Sequence, residues 1–148
     1  MPVRFNHRAA LVALAALLGS LTAARAAELD AKAVQIKTPD QFKWRDPSNQ
    51  ATTNQTILHG DPNKTGGIYV YINSFKPGRF GNPHYHPNDR HITVIRGTWW
   101  VGTGRTYAPQ STTPLSAGTV VTHFAKQFHY DGAKDENVIL EITGEGPQ

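Results

Sequence analysis

Residues 78–86 read Gly-Arg-Phe-Gly-Asn-Pro-His-Tyr-His, and this stretch places two histidines two residues apart. In an extended segment, alternate residues point to the same face, so His84 and His86 can present two imidazoles to one ion. Imidazole nitrogens bind Zn, Fe, Ni, Cu and Mn. His129, from a distant part of the chain, is the natural candidate for a third ligand. Surface loops can contain the same pair, so the pair alone is weak evidence for a metal.

Short β-branched and aromatic runs lie on both sides of this stretch and end at glycine or proline. These runs predict strands at residues 68–72, 92–96, 98–102, 119–122 and 138–142. Gly97 lies between the second and third runs and indicates a tight hairpin, and residues 107–114 are expected to form a polar loop. No segment has a helical apolar period over three turns. The chain is therefore predicted to be all-β, as a sandwich or a barrel.

The N-terminus has the pattern of a secretory leader. Arg4 and Arg8 precede the apolar run Ala9–Leu18, and Ala24-x-Ala26 matches a cleavage site. The apolar run is about half of the ~20 residues that a membrane-spanning helix needs. The predicted organisation is a signal peptide, residues 1–26, followed by a single domain, residues 27–148. The mature protein is expected to be periplasmic or secreted and free of the membrane.

Charge and cysteine content exclude several function classes. The chain has 15 Lys and Arg against 11 Asp and Glu. Three of the arginines lie in the predicted leader, so the mature domain lacks the clustered excess of cations typical of nucleic-acid binding. The absence of cysteine excludes disulfides, thiolate metal sites and a cysteine nucleophile. The expected partner is a small-molecule ligand.

The spacing around the two histidines resembles the first motif of the cupin superfamily. That motif runs glycine, five residues, His-x-His, three or four residues, glutamate, six residues, glycine. Here Gly78 is followed by five residues and then by His84 and His86, and the motif closes at Gly97. The glutamate is replaced: counting back six residues from Gly97 reaches Arg90.

A second, degenerate cupin motif follows. Gly118 and His129 have the right spacing, with Phe124 and Lys126 where proline and glycine usually stand. The resemblance covers roughly residues 68–142. It implies a double-stranded β-helix (jelly-roll) barrel with one divalent metal ion, Fe, Mn, Ni or Zn, at its mouth, and it also allows a homodimer. The metal ligands that it implies are His84, His86 and His129.

Arg90 is the main departure from the motif. A guanidinium has no lone pair and cannot bind a metal. Residues 84, 86 and 90 share one face of a regular strand, while His91 faces away. A bulge at Pro87 could reverse that register and turn His91 inward.

Three interpretations remain open at this point. In the first, three histidines hold the metal while Arg90 serves as a catalytic and substrate-binding clamp for a carboxylate, an enolate or bound oxygen. Alternatively, His91 or His123 supplies a fourth nitrogen. In the third case the site is free of metal, and Arg90 lies on an apolar ligand.

Aromatic residues are candidates for the wall of the cavity. Trp99 and Trp100 point to opposite faces of their strand, so one of them should line the barrel. A wall built from Tyr71, Trp99 and Phe128 would favour a small apolar or aromatic ligand. His123 could also support a metal ligand by a hydrogen bond to its imidazole, or it could be an exposed residue at a strand end.

Two function classes follow from these observations. The first is an exported metalloenzyme, of dioxygenase, isomerase or lyase type, that acts on a small anionic or aromatic molecule. The second is a non-catalytic periplasmic protein that binds a metal or a small ligand without turnover. Asp89, Tyr130 and Asp131 are close enough in sequence to serve as an acid or base, but nothing in the sequence singles one of them out.

Overall fold

A computed structural model of the chain describes residues 27–48 and 53–148. The chain divides into two compact units, Met1–Gln35 and Ile36–Gln148. The predicted signal peptide, residues 1–26, lies outside the described residues and stays a prediction. The described residues of the first unit contain one turn, at residues 31–33. No helix among the described residues is long and apolar enough to cross a membrane.

Two antiparallel sheets make up the second unit, so the prediction of an all-β chain is confirmed. The strands of its described part are β1 (Thr53–His59), β2 (Ile68–Phe75), β3 (Arg90–Arg96), β4 (Trp99–Thr103), β5 (Thr113–Leu115), β6 (Val120–His123), β7 (His129–Gly132) and β8 (Val138–Glu145). The larger sheet has the order β1-β2-β8-β3-β6, and the smaller one has the order β5-β4-β7. Two single-turn 3₁₀ helices span Pro39–Gln41 and Pro109–Ser111.

Five of these strands match the predicted ones, and three were missed. The expectation of a loop at residues 107–114 was wrong at its C-terminal end, where β5 pairs with β4. Strand β1 was missed because its sequence is polar, yet Asn54 and Thr56 are buried. The short strand β7 was missed because it carries His129 and Asp131 instead of an apolar run, although all four of its residues are buried.

The core is a cluster of aromatic and β-branched side chains from both sheets. Tyr69 and Tyr71 stack with their ring centroids 5.4 Å apart, and Trp99 is completely buried beside them in the same cluster. Trp100 points the other way, where the amine of Lys134 lies 3.6 Å from its ring centroid. The two tryptophans therefore lie on opposite faces of β4, as the alternation predicts.

The histidine-bearing stretch, residues 78–86, runs antiparallel to β7. Its backbone is bridged to β7 at two points, between Phe80 and Gly132 and between His84 and His129. At the second bridge the amide of each histidine donates to the carbonyl of the other, at 2.9 Å in both directions. Gly132 permits this close approach, because a Cβ atom there would overlap the carbonyl oxygen of Arg79.

Candidate metal centre

Three histidines converge on one side of the small sheet. His84 and His86 project from the same face of residues 78–86, and His129 begins the neighbouring strand β7. One ring nitrogen from each of the three lies within 4.8 Å of the others. The ring centroids are 5.0 Å apart for His84 and His86, 4.5 Å for His84 and His129, and 5.3 Å for His86 and His129. Such a group can share one ion.

Backbone carbonyls fix the tautomers of two of these rings. Nδ1 of His84 lies 2.8 Å from the carbonyl oxygen of Asn82, and Nδ1 of His129 lies 3.1 Å from that of Gln127. A carbonyl only accepts hydrogen bonds, so each Nδ1 carries the proton and each Nε2 keeps its lone pair. Nε2 of His86 is buried and has no hydrogen-bond partner among the described residues. The donor set therefore fits a divalent metal.

The same surroundings keep the imidazoles neutral. Burial, together with Arg90 and the neighbouring histidines, lowers the pKa of His86 to about 3. Burial, His84 and Arg90 lower the pKa of His129 to about 4, against a smaller opposing effect of the carbonyl of Gln127. Neutral imidazole is the form that binds a metal, so these two rings need no deprotonation near pH 7.

Arg90 points into the site from β3, and His91 points away from it. The guanidinium is 5% exposed and donates to Tyr71 Oη at 3.2 Å. A second nitrogen of the group, Nη2, lies 3.4 Å from both His123 Nδ1 and His129 Nε2. His91 is exposed on the opposite face, where its Nδ1 lies 3.1 Å from Thr122 Oγ1. Arg90 and His91 therefore alternate between the two faces of β3, as in a regular strand. The pairing of β3 with β6 is uninterrupted here, so no bulge turns His91 inward.

The guanidinium of Arg90 is a buried cation that forms no direct ion pair within the described residues, although it interacts electrostatically with the carboxyl group of Asp131. No carboxylate oxygen of the described chain lies within ion-pairing distance of it, and its Nε has no hydrogen-bond partner there. A buried charge is costly unless it is paired or hydrogen-bonded. The two long contacts at 3.4 Å compensate only weakly, because hydrogen bonds from nitrogen to an acceptor are usually 2.7–3.2 Å.

His123 lies beside the three histidines but outside their group. Its ring centroid is 3.7 Å from that of His129 and 5.5 Å from that of Trp99. Its Nε2 is buried without a partner in the described chain, so the expected hydrogen bond from His123 to a ligand imidazole is not formed. Burial and the neighbouring His129 and Arg90 lower the pKa of His123 to about 2. The ring therefore covers one side of His129 as a neutral group.

A cavity of about 600 Å³ lies beside two of the histidines, His84 and His86, whereas His129 is not among its lining residues. Its wall combines polar and aromatic side chains. The polar ones include Arg45, Gln55, Asn73, Asn82, Arg90 and Asp131, and the aromatic ones are Tyr71, Phe75, Phe80 and Tyr85. The hydroxyl of Tyr71 stays protonated, since burial raises its pKa to about 12. Of the predicted aromatic wall only Tyr71 is present, and the other aromatic lining residues are ones that the sequence did not single out.

Two of the three predicted wall residues do not line this cavity. Trp99 is completely buried behind it and donates its Nε1–H to Asp131 Oδ2 at 2.9 Å. Phe128 lies against Tyr85, at 5.1 Å between ring centroids, and the guanidinium of Arg105 covers it at 4.2 Å. Alternation along a strand indicates which face a side chain takes, but not how far it lies from the cavity.

Asp131 is the site residue that the sequence did not single out. It lies two positions after His129 on β7, lines the cavity and is 5% exposed. Burial raises the pKa of this carboxyl group, while Arg90, His84 and the bond from Trp99 act in the opposite direction. The i, i+2 spacing from His129 was the available signal, but β7 was too short and polar to be recognised as a strand.

The chain was compared with family models, with curated proteins and with solved structures. No family model and no curated protein matches it, but several solved structures share its fold. The structure of KdgF from Halomonas sp. is similar with a TM-score of 0.55 at 17% identity, covering 74% of this chain and 93% of that one. An RmlC-like cupin from Shewanella frigidimarina gives a TM-score of 0.60 at 13% identity, covering 78% and 94%. The polyketide cyclase RemF from Streptomyces resistomycificus gives 0.59 at 14%, covering 76% and 79%.

Proposed function

The chain has the cupin fold that its histidine motif predicted, and we propose that it is an exported protein that binds one divalent metal ion and acts on a small organic anion. The ligands would be His84, His86 and His129, and the ion would be Fe, Mn, Ni or Zn. The convergence of three ring nitrogens within 4.8 Å of one another is the observation that carries this proposal. When bound, the metal would supply a Lewis acid to the cavity.

The anionic character of the ligand follows from Arg90. This guanidinium is buried at the wall of the cavity, and no carboxylate oxygen of the described chain is in direct ion-pairing contact with it. A carboxylate entering the cavity would make that direct contact and accept two parallel hydrogen bonds. Tyr71 Oη, already bonded to Arg90, would hold the guanidinium in place while it binds.

Asp131 gives the site a group that can exchange a proton. Its carboxyl group lies in the cavity wall, and burial raises its pKa. Because Asp131 lines the same cavity as His84, His86 and Arg90, we favour metal-assisted proton transfer on the bound anion, with Asp131 as the group that exchanges the proton. A similar structure, RemF, is named as a polyketide cyclase, so this fold can carry catalysis.

Metal analysis of the purified protein tests the proposal. We expect about one equivalent of a transition metal in the wild type and a loss of most of it in His84→Ala. His91→Ala is the matched control, because this imidazole is exposed on the opposite face of β3. A wild-type protein that contains no metal and takes up none of the four candidate ions would refute the proposal.

A non-catalytic binding protein is the second candidate, and one observation favours it. Nη2 of Arg90 lies 3.4 Å from His129 Nε2, so a cation already occupies the direction of that lone pair. If the cation stays there, the site holds an anion and no metal. A metal-free protein that is stabilised against heat by small carboxylates, with no turnover, is the result that this candidate predicts.

A further inference from the structure

Gly81 lies in the wall of the cavity beside His84 and His86, at an irregular point of the backbone pairing. The histidine-bearing stretch is bridged to β7 on both sides of this point. Between the two bridges, residues 81–83 oppose residues 130–131, so the stretch has one extra residue, as in a β-bulge. The amide of Gly81 donates to the carbonyl oxygen of residue 131 at 2.8 Å, which fixes the glycine at the cavity.

Neither the backbone conformation nor the packing of the described chain requires a glycine at this position. Gly81 is not among the glycines with positive φ. A Cβ atom at residue 81 would lie 3.7 Å from the carbonyl oxygen of Asp131 and 3.8 Å from His84 Cε1, which are ordinary van der Waals distances. Within the described chain, Gly67 is the one other glycine with neither constraint, and it lies outside this cavity.

The missing side chain leaves space between a proposed metal ligand and the proposed proton-exchanging group. A Cβ atom at residue 81 would lie 3.9 Å from Asp131 Oδ1, while Oδ2 of the same carboxyl group accepts the indole hydrogen bond of Trp99. Oδ1 is therefore the oxygen on the side of Gly81. The ring of His84 borders the same space. A longer side chain at residue 81 would begin between these two groups and take up volume in the cavity.

The chemistry of a bound carboxylate indicates which of its groups would use this space. Its carboxylate oxygens would pair with Arg90. The proton that a base can remove is the one on the carbon next to the carboxylate, because the carboxyl group delocalises the charge that forms there. That carbon must come within reach of Asp131 for a proton to be exchanged. Substituents on it would then lie against Gly81.

We propose that Gly81 is the specificity-determining residue of this site, and that its missing side chain admits carboxylates with bulky groups on the carbon next to the carboxylate. The proposal rests on the proposed function, in that a carboxylate binds beside Arg90 and Asp131.

Thermal-shift titration at pH 7 with acetate, propionate, isobutyrate and pivalate tests the proposal. These anions have the same charge and gain one methyl group at each step on the carbon next to the carboxylate. We expect the wild type to bind all four. Gly81→Val should weaken pivalate binding roughly tenfold or more, the usual discrimination of a pocket for a methyl group or two, and acetate binding by less than about twofold. Gly67→Val is the matched control, because this glycine has the same steric freedom outside the cavity.

Gly81→Ala keeps the test valid if Gly81→Val does not fold, because its Cβ makes only ordinary contacts. We expect it to show the same graded loss, smaller at each acid, with the metal content and thermal stability of the wild type. Equal weakening of all four acids in Gly81→Ala would overturn the proposal, and so would unchanged pivalate binding in a folded Gly81→Val.

The outcomes separate this proposal from the proposed function. A wild type that takes up no metal, with a graded loss in the Gly81 variants, would refute the metal function and support the role of Gly81. A metal-loaded wild type whose Gly81 variants bind all four acids equally well would do the reverse. A wild type that binds none of the four acids would overturn the role of Gly81 and the binding of a carboxylate together.

Discussion

Replacing Arg90 by methionine would test whether this cation limits metal binding. Methionine keeps a similar length and removes the charge. We expect Arg90→Met to bind a divalent metal more tightly than the wild type and to bind small carboxylates more weakly. The reason is that the guanidinium lies 3.4 Å from the Nε2 lone pair of His129 and has no carboxylate partner in the described chain.

The size of the effect follows from distances in the structure. A metal–nitrogen bond is about 2.1 Å long, so a metal on His129 and Nη2 of Arg90 would be at most about 5.5 Å apart. A single and a double positive charge at that separation repel by about 6 kcal/mol at an effective dielectric constant of 20, and by about 1.5 kcal/mol in water. Even the lower value corresponds to a roughly tenfold gain in metal affinity for the variant.

Competition with a chromophoric chelator would measure the metal affinity of both proteins. Arg96→Met is the matched control, since Arg96 is an exposed arginine on the same strand. Thermal unfolding of the metal-free proteins is the second measurement, and it shows how far the loss of the contacts of Arg90 with Tyr71 and Asp131 changes stability apart from metal binding. A variant that loses metal as completely as His84→Ala would refute the reasoning and make Arg90 a support of the site.

Three further predictions concern stability. Gly132→Ala should lower the free energy of unfolding by about 1–3 kcal/mol and reduce metal content, because the new Cβ would force residues 78–86 away from β7. Unfolding in urea would measure the loss of stability, and metal analysis would measure the loss of metal. An unchanged metal content would contradict the link between the backbone pairing and the metal site. Trp99→Phe should lower the free energy of unfolding by about 1–3 kcal/mol, because the buried carboxyl group of Asp131 loses its indole donor. Equal stability of the two proteins in urea would contradict this reasoning. The metal-free protein should lose stability as the pH falls below about 6.5, the pKa of histidine in an unfolded chain. Burial holds the pKa values of His86 and His129 at about 3 and 4, so in this range the unfolded state binds more protons. Each proton contributes a slope of up to about 1.4 kcal/mol per pH unit, and a flat stability profile between pH 6.5 and 5 would contradict these pKa values.

The strands that the sequence predicts are the ones whose own composition, rich in apolar β-branched residues, indicates that they are buried. Strands β2, β3 and β8 are rich in isoleucine and valine, so composition alone indicates them. Most residues of β1 and β7 are polar. These strands are buried because other segments of the chain pack over them. Asn54, for example, receives the amide of Asp46 and donates to its carbonyl, contacts that lie eight residues apart in sequence. Tertiary contacts of that kind leave no periodic signal.

Much the same distinction applies to the site. Alternation was enough to group His84 and His86 and to separate Arg90 from His91, because it depends only on local backbone geometry. It did not locate Asp131 at the cavity or remove Trp99 from it, because both depend on how deep each side chain lies between the two sheets. The sequence also could not predict the polar part of the cavity wall, because Gln55, Asn73 and Asn82 come from separate segments of the chain.

The paired backbone hydrogen bonds between His84 and His129 have a consequence for the kinetics of metal uptake. Two of the three proposed ligands, His84 and His129, are cross-strand neighbours, so the backbone pairing fixes the distance between them before any ion binds. Little ordering entropy remains to be lost on binding, and uptake should be limited by desolvation of the ion and displacement of Arg90. In hydrogen exchange, the amides of these two histidines should therefore be protected in the metal-free protein almost as well as in the loaded one.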